Sequence, residues 1–190
     1  MNDKILILAA GNSSRLGENK QFLLKNGSTL LNRCINICRK AALGHISIVT
    51  GFQAGAINQM ISGQNVNIIH NKNWLNGMGE SIATGINSFD QSVSGVYIVL
   101  PDQIQLDGDI LKKIKVAREK DPSKIVTSKY GEDFGAPTFF PSSYFDALRK
   151  CAGLNGAKQV ITENLDTVKF IDFEGGEIDI DTPDELNRLD

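Results

Sequence analysis

The feature that most constrains this chain is a pair of apolar runs, one at residues 4–10 and one at residues 95–100. Strands that are apolar at nearly every position, rather than at every second one, are typical of a parallel sheet covered on both faces. Residues 29–42 carry apolar side chains at helical spacing, and strands and helices continue to alternate after them. The alternation predicts an α/β fold of three layers, in which helices cover both faces of a mostly parallel sheet.

The same patterns predict the order of the elements. We expect strands at residues 4–10, 45–50, 66–69, 95–100, 125–128 and 167–173. We expect helices at residues 29–42, 54–61, 79–89, 110–119, 143–151, 156–164 and 182–189. Asp107 and Asp109 are expected to cap the fourth of these helices. Glycines, a proline and three phenylalanines between residues 129 and 141 indicate a hairpin.

The composition fits one globular domain over residues 1–190. The net charge is −2, and acidic and basic residues are interspersed along the chain. The sequence lacks the basic stripe of a nucleic-acid-binding protein. The apolar run at residues 5–10 is too short for a membrane span or a signal-peptide core. We therefore expect a cytoplasmic protein without nucleic-acid or membrane partners. Cys34, Cys38 and Cys151 lack the spacing of a zinc site, and we expect them to be buried thiols.

A glycine-rich loop follows the first strand, with Gly11 and Gly17 at its two ends. It has no glycine at position 13, so it is not a dinucleotide-binding Rossmann loop, and Glu18 stands where a P-loop requires lysine. A strand that enters such a loop presents backbone N–H groups to an anion. Arg15 and Lys20 add two cations, of which the arginine can contact two phosphate oxygens at once. The sequence therefore predicts a phosphate-binding loop.

Four segments in sequence resemble the motifs of one family. Residues 8–21, which read LAAGNSSRLGENKQ, are similar to the signature loop of the MobA/MocA-like nucleotidyltransferases. The AAG form of this loop most resembles the molybdenum cofactor cytidylyltransferases. Residues 73–81, 100–103 and 179–186 are similar to the family's later motifs and follow in the same order. The resemblance implies a Rossmann-like fold of the nucleotide-diphospho-sugar transferase type.

The resemblance also implies a reaction, in which CMP passes from CTP to the phosphate of a molybdopterin-type acceptor and pyrophosphate is released. It implies that Lys20, Arg15 and Asp102 are catalytic. The nucleotide would be bound by Leu8, Ala9, Ala10, Gly11, Asn12, Ser13, Ser14, Gly77, Gly79 and Ser81. Magnesium would be held by Asp102 and Asp181, since Mg²⁺ prefers oxygen ligands. Asp181 also fits the N-cap of the last helix, as Thr182 does. A molybdoenzyme would receive the product.

Three departures from the family pattern concern the acceptor. Ile104 stands where the family has proline, Ala136 where it has histidine, and Leu154 where it has aspartate. They leave open another phosphorylated acceptor, such as a sugar phosphate or methylerythritol phosphate. They also leave open an accessory protein that binds a nucleotide-modified cofactor without catalysis. Phenylalanines at 134, 139 and 140 fit either a flap over the acceptor or the protein core.

Overall fold

A seven-stranded sheet organises the chain in the computed structural model, which describes residues 2–14, 16–180 and 182–189. In chain order the strands are β1 Asp3–Ala9, β2 Leu24–Lys25, β3 Ser28–Thr29, β4 His45–Thr50, β5 Asn67–His70, β6 Gly95–Val99, β7 Ile125–Tyr130, β8 Asp133–Pro141 and β9 Val168–Asp172. Strands β2 and β3 form a separate short hairpin, and the others form the large sheet in the order β5-β4-β1-β6-β8-β7-β9.

Neighbouring strands of the large sheet are parallel except where β8 pairs with β6 and with β7. The mostly parallel sheet is therefore confirmed, and so is the hairpin between residues 129 and 141. The hairpin turns at Gly131, whose φ of 57° is in the left-handed region that glycine adopts most readily. Strand β8 thereby enters the sheet between β6 and β7, in the opposite direction to both.

Helices cover both faces of the sheet, as predicted. In chain order they are α1 Leu30–Ala41, α2 Ala54–Met60, α3 Met78–Asn87, α4 Gly108–Lys120, α5 Phe145–Arg149 and α6 Lys158–Thr162. Ile5 and Ile7 of β1 pack into the core under α1, α2 and α4, whereas Leu6 and Leu8 pack into the core under α3, α5 and α6. Successive side chains of a strand point to opposite faces, so burial on both faces accounts for the continuous apolar run. No helix in the described part of the chain is long and apolar enough to cross a bilayer.

Most helices and strands begin and end within one to three residues of the positions predicted from the sequence. Helix α1 begins at Leu30 because the Thr29 hydroxyl accepts a hydrogen bond from the N–H of Asn32 at 3.2 Å. The Asp107 carboxylate caps α4 as expected, by accepting from the next N–H groups of the helix. The helix predicted at residues 182–189 is present as the 3-10 helix Pro183–Leu189. The Glu185 carboxylate accepts from the N–H of Thr182 at 2.9 Å at its start.

A buried ion pair joins the start of β1 to α4. The Arg118 guanidinium contacts both carboxylate oxygens of Asp3, at 2.8 Å from Nε and 2.9 Å from Nη2. The Arg118 side chain is 3% exposed and lies over the Phe139 ring, 5.2 Å from its centroid. Burial and the Asp3 carboxylate raise the pKa of the neighbouring Tyr97. The pair thus fixes α4 against the end of the sheet opposite to the glycine-rich loop.

Candidate active site

The sheet order brings two of the predicted motifs together. Strands β1 and β6 are parallel neighbours, with Ile7 opposite Val99. The glycine-rich loop leaves the carboxyl end of β1, and the turn that carries Asp102 leaves the carboxyl end of β6. Ligands of open α/β sheets bind at this edge. The glycine-rich loop and the turn at residues 100–103 therefore lie side by side at this edge.

The glycine-rich loop is held by hydrogen bonds of its own. Ser13 has a φ of 50°, and its carbonyl oxygen accepts from the N–H of Leu16 at 2.9 Å. The Ser13 hydroxyl accepts from the N–H of Lys20 at 3.2 Å, and the Asn19 side chain caps the 3-10 turn Lys20–Phe22. Leu16 is buried in an apolar cluster with Ile104. The loop therefore folds back over the sheet and delivers Lys20 to the end of β6.

Lys20 and Asp102 form an ion pair, although 82 residues separate them in sequence. The Nζ atom of Lys20 lies 3.0 Å from Oδ2 of Asp102, and the two side chains are 10% and 22% exposed. A cation and a carboxylate that are this well shielded interact more strongly than an exposed pair. Both side chains line the same cleft, so the pair stands where a charged ligand would enter.

The turn that carries Asp102 is fixed by its neighbour Gln103. The Nε2 atom of this buried side chain donates to the carbonyl oxygens of Ala136 at 2.8 Å and of Gly176 at 2.9 Å. The turn after β6 is therefore tied to β8 and to the segment before the C-terminal 3-10 helix.

The opposite wall of the cleft is built by the segment between β5 and α3. The buried Asn71 side chain donates to the Ser81 hydroxyl at 3.0 Å and accepts from the N–H of Asn73 at 2.9 Å. The Trp74 ring packs on the Phe52 ring, with centroids 5.5 Å apart. These contacts place an aromatic ring and a hydroxyl on the wall that faces the glycine-rich loop.

Two glycines in this wall allow another segment to approach closely. A Cβ atom on Gly77 would lie 2.6 Å from the carbonyl oxygen of Gly153, and one on Gly79 would lie 2.6 Å from the backbone of Ala152. The N–H of Gly79 donates to the Gly153 oxygen at 2.9 Å. The glycines thus hold residues 152–154 at the mouth of the cleft.

Gly79→Ala is expected to lower the free energy of unfolding by about 1–3 kcal/mol, because the added methyl group overlaps the Ala152 backbone. Urea denaturation measures the change. Gly55→Ala is the matched control, since open space surrounds that helical position and alanine favours a helix by about 1 kcal/mol over glycine. A Gly79→Ala protein as stable as the Gly55→Ala protein would show that the close approach is absent.

The cleft has a volume of about 430 Å³ and gathers most of the predicted residues. Those that line it are Leu8, Ala10, Gly11, Asn12, Ser13, Ser14, Lys20, Gly77, Ser81 and Asp102. Ala9 does not line it, since its side chain is buried under α1, and Gly79 lies behind the wall against Ala152. Arg15 and Asp181 lie outside the described residues.

Several lining residues were not assigned from the sequence. Gln21 lines the cleft, and its buried amide oxygen has no hydrogen-bond partner among the described residues. Leu75, Met78 and Leu154 form an apolar rim, with Leu75 78% and Leu154 85% exposed. Gln21 directly follows Lys20 in the signature loop, which is a signal that could have identified it. Leu154 was noted in the sequence only as a departure from the family's acceptor motif, and folding brings it to the cleft.

The acceptor-side departures have different structural roles. Ile104 is buried in the cluster that anchors the glycine-rich loop, and the Ala136 oxygen accepts from Gln103. Lys158 forms an ion pair with Asp133, a contact that lowers the pKa of the Asp133 carboxyl. Its Nζ atom also lies 5.4 Å from the centroid of the Phe134 ring.

The three phenylalanines at 134, 139 and 140 were expected either in a flap over the acceptor or in the core, and they differ in where they lie. Phe139 and Phe140 are fully buried in the two cores of the sheet. Phe134 is half-buried and packs edge-on against Phe170, with ring centroids 5.7 Å apart. Only Phe134 therefore fits a place in a flap, and core packing accounts for the other two.

Comparison with known proteins gives one family and related folds. Residues 5–168 match the family model of the MobA-like NTP transferase domain. The purine catabolism protein PucB of Bacillus subtilis is 26% identical over 97% of this chain and 94% of its own length. The crystal structure of Rv0371c from Mycobacterium tuberculosis superposes with a TM-score of 0.86 at 23% identity, over 100% of this chain and 97% of that one. Its complex with manganese gives a TM-score of 0.83 at 21% identity, over 100% and 98% of the two chains. These structures share the predicted fold.

Proposed function

Because the chain belongs to the MobA-like NTP transferase domain family and is a nucleotidyltransferase, we propose that it transfers CMP from CTP to the phosphate of a molybdopterin-type acceptor and releases pyrophosphate. The observation that carries the proposal is the ion pair between Lys20 and Asp102 inside the cleft that the glycine-rich loop lines. The pair supports the proposal because it brings together the cation to which we assign phosphate binding and the carboxylate to which we assign metal binding.

The proposed chemistry needs fixed positive charge more than it needs a covalent step. Two anions must approach each other, and charge grows on the pyrophosphate that leaves. The N–H groups of residues 11–14 face the phosphates in this proposal, with Lys20 and Arg15 beside them. An acceptor that is a phosphate monoester has a second pKa of about 6 and is ionised near neutral pH. It needs no general base, and none of the described cleft residues is a histidine.

A magnesium ion fits the donor set. Asp102 presents a partly exposed carboxylate to the cleft, and an oxygen ligand of this kind suits the ion. The described residues contain no cluster of three metal-binding side chains, but Mg²⁺ is commonly held by one or two carboxylates together with substrate phosphates. We propose Asp102 and Asp181 as its ligands, and the manganese complex of Rv0371c supports a divalent cation. When bound, the cation would offset phosphate charge and help to hold the reacting groups in line.

Lys20 has two partners in this proposal. In the free protein its ammonium pairs with Asp102 at 3.0 Å. With nucleotide and cation bound, the Lys20 ammonium would contact a phosphate oxygen and the Asp102 carboxylate would be a ligand to the cation. The pair therefore keeps both charges compensated before the substrates arrive, when a partly buried unpaired charge would be costly.

Recognition of the nucleoside is assigned to the opposite wall. Ser81, whose hydroxyl is held by Asn71, and Trp74 line the cleft across from the glycine-rich loop. A hydroxyl and an aromatic ring suit the ribose and the base. The AAG form of the loop, in which Ala10 lines the cleft, supports cytidine through the family resemblance.

Gln21→Leu is expected to stabilise the free protein and to weaken catalysis. The buried oxygen of Gln21 has no partner among the described residues, so its removal should raise the free energy of unfolding by about 1 kcal/mol. Turnover should fall about tenfold, because a ligand would lose one hydrogen bond. Urea denaturation and pyrophosphate release measure the two effects. Gln159→Leu on the exposed side of α6 should change neither, and unaltered turnover in Gln21→Leu would exclude a ligand contact.

The test of the function is a pyrophosphate-release assay with each of the four NTPs, Mg²⁺ and a panel of acceptors. The panel contains molybdopterin, methylerythritol phosphate and a sugar phosphate. Release that requires CTP, Mg²⁺ and molybdopterin together is the expected result. Release with another acceptor would replace the proposed substrate, and tight CTP binding without release would replace catalysis by an accessory role.

The cellular setting is part of the proposal. The three cysteines are free thiols, which suits the reducing cytoplasm that we propose as the compartment. The name of PucB connects that protein with purine catabolism, and a molybdoenzyme that acts on purines is accordingly the recipient that we propose for the product.

A further inference from the structure

A second concave surface lies far from the cleft, between α4 and the edge strand β9. We call it the lysine groove, because five lysines line it: Lys112, Lys113, Lys120, Lys124 and Lys169. Its volume is about 710 Å³, larger than that of the cleft. The floor is apolar and includes Val116, which is 50% exposed, and Ile171. The proposed nucleotidyl transfer uses none of these residues.

The groove lies where α4 meets the edge strand β9. Strand β9 pairs with β7 on one side, and no strand of the described residues pairs with its other side. Ile171 packs against the same core as α4. One edge of β9 therefore presents main-chain N–H and C=O groups next to an apolar floor, which is the arrangement that accepts an added strand.

The charge of the groove is opposite to that of the chain. Five lysines and two aspartates, Asp121 and Asp172, line it, whereas the whole chain has a net charge of −2. Lys112 pairs with Asp109 and Lys124 with Asp121. Lys113, Lys120 and Lys169 have no ion pair or hydrogen bond with any described residue. Three ammonium groups are thus available to a partner.

We propose that the lysine groove binds an extended acidic segment of a partner protein, which adds a strand to the free edge of β9. Alternate side chains of such a strand point to opposite sides. Among the side chains that face the groove, carboxylates would meet the lysines, and apolar side chains would cover Val116 and Ile171. Opposite charges around an apolar floor give both selectivity and contact area.

The lining favours an acidic protein segment over its rivals. Nucleic acid is usually held by arginines and by aromatic rings on which bases stack. The described lining has no arginine, it includes two carboxylates, and its one aromatic ring, Phe170, is packed edge-on against Phe134. A second copy of β9 would bring its own Lys169 against the lysines, and like charges disfavour that pairing.

The experiment uses the full chain labelled with ¹⁵N and a synthetic peptide in which every second residue is in turn glutamate and valine, with threonine between them, so that both face the groove. The expected result is saturable binding that protects the outward amides of β9 from hydrogen exchange and weakens as salt is raised. Two peptides are controls, one with lysine in place of glutamate and one with alternate backbone amides methylated. Neither should bind, because the first has the wrong charge and the second cannot form the strand ladder.

A pair of matched variants tests the residues. Lys113→Glu/Lys169→Glu should weaken binding of the Glu/Val peptide about tenfold or more, since it replaces two attractions by two repulsions. Lys40→Glu/Lys150→Glu makes the same change of charge on exposed residues outside the groove and should bind as the unaltered protein does. Equal binding by both variants, binding of the methylated peptide, or preferential binding of a poly(U) oligonucleotide would each overturn the proposal.

Discussion

Asp102→Asn is expected to lower the rate of nucleotidyl transfer by about a hundred- to a thousandfold, the usual cost of losing one essential electrostatic contact in an active site. The amide keeps the shape of the carboxylate but loses the charge that would bind the cation and that pairs with Lys20 at 3.0 Å. Steady-state pyrophosphate release at saturating CTP measures the rate. The required concentration of Mg²⁺ should also rise, because a proposed ligand to it is lost.

Two controls separate this effect from damage to the fold. Asp109→Asn removes an exposed carboxylate that pairs only with Lys112 in the described structure, and it should leave the rate unchanged. Urea denaturation of Asp102→Asn should show a folded protein that has lost about 1–3 kcal/mol in the free energy of unfolding, because the shielded Lys20 ammonium loses an ionic partner. A stable Asp102→Asn protein with full activity would remove Asp102 from the mechanism.

Arg118→Ala should have the largest effect on stability, with a loss of about 3–5 kcal/mol in the free energy of unfolding. The substitution leaves the Asp3 carboxylate buried without the two contacts that compensate its charge. It also empties the space over the Phe139 ring. Urea denaturation measures the loss, and domains of this kind are commonly stable by only about 5–15 kcal/mol.

The control for this prediction is Lys112→Ala, which breaks an ion pair on the exposed side of the same helix. Exposed ion pairs contribute about 0–1 kcal/mol. The loss in the free energy of unfolding should therefore be several times larger for Arg118→Ala than for Lys112→Ala. The double variant Asp3→Asn/Arg118→Met should recover part of the loss, since it leaves no buried charge. If Arg118→Ala unfolds no more easily than Lys112→Ala, the ion pair does not hold α4 on the sheet.

The layers of the fold could be predicted because local patterns determine them. Burial on both faces leaves a continuous apolar run in β1, and a helix against a sheet leaves apolar residues at helical spacing in α1. The order of the strands could not be predicted in the same way. No local sequence pattern predicts that β8 inserts between β6 and β7, because this order depends on packing between distant segments.

In the candidate site, too, local features could be predicted from the sequence and contacts between distant segments could not. The glycine-rich loop was recognisable because glycines and cations at short spacing carry the signal within a few residues. The contact of Lys20 with Asp102 spans 82 residues, and only the adjacency of β1 and β6 creates it. The place of Leu154 on the rim could not be predicted for a similar reason, because Gly77 and Gly79 bring its segment to the cleft through backbone contacts.

The insertion of β8 also sets the order in which the chain can assemble during synthesis. Strands β5, β4, β1 and β6 lie within the first 99 residues and can form one parallel unit. The far edge of β6 stays unpaired until residues 138–141 have left the ribosome, because they form its antiparallel partner. Pairings between distant segments form slowly, so this apolar edge is the surface that a chaperone would protect. Asp102, which follows that edge directly, acquires its final position only when β8 arrives and Gln103 can reach the Ala136 oxygen.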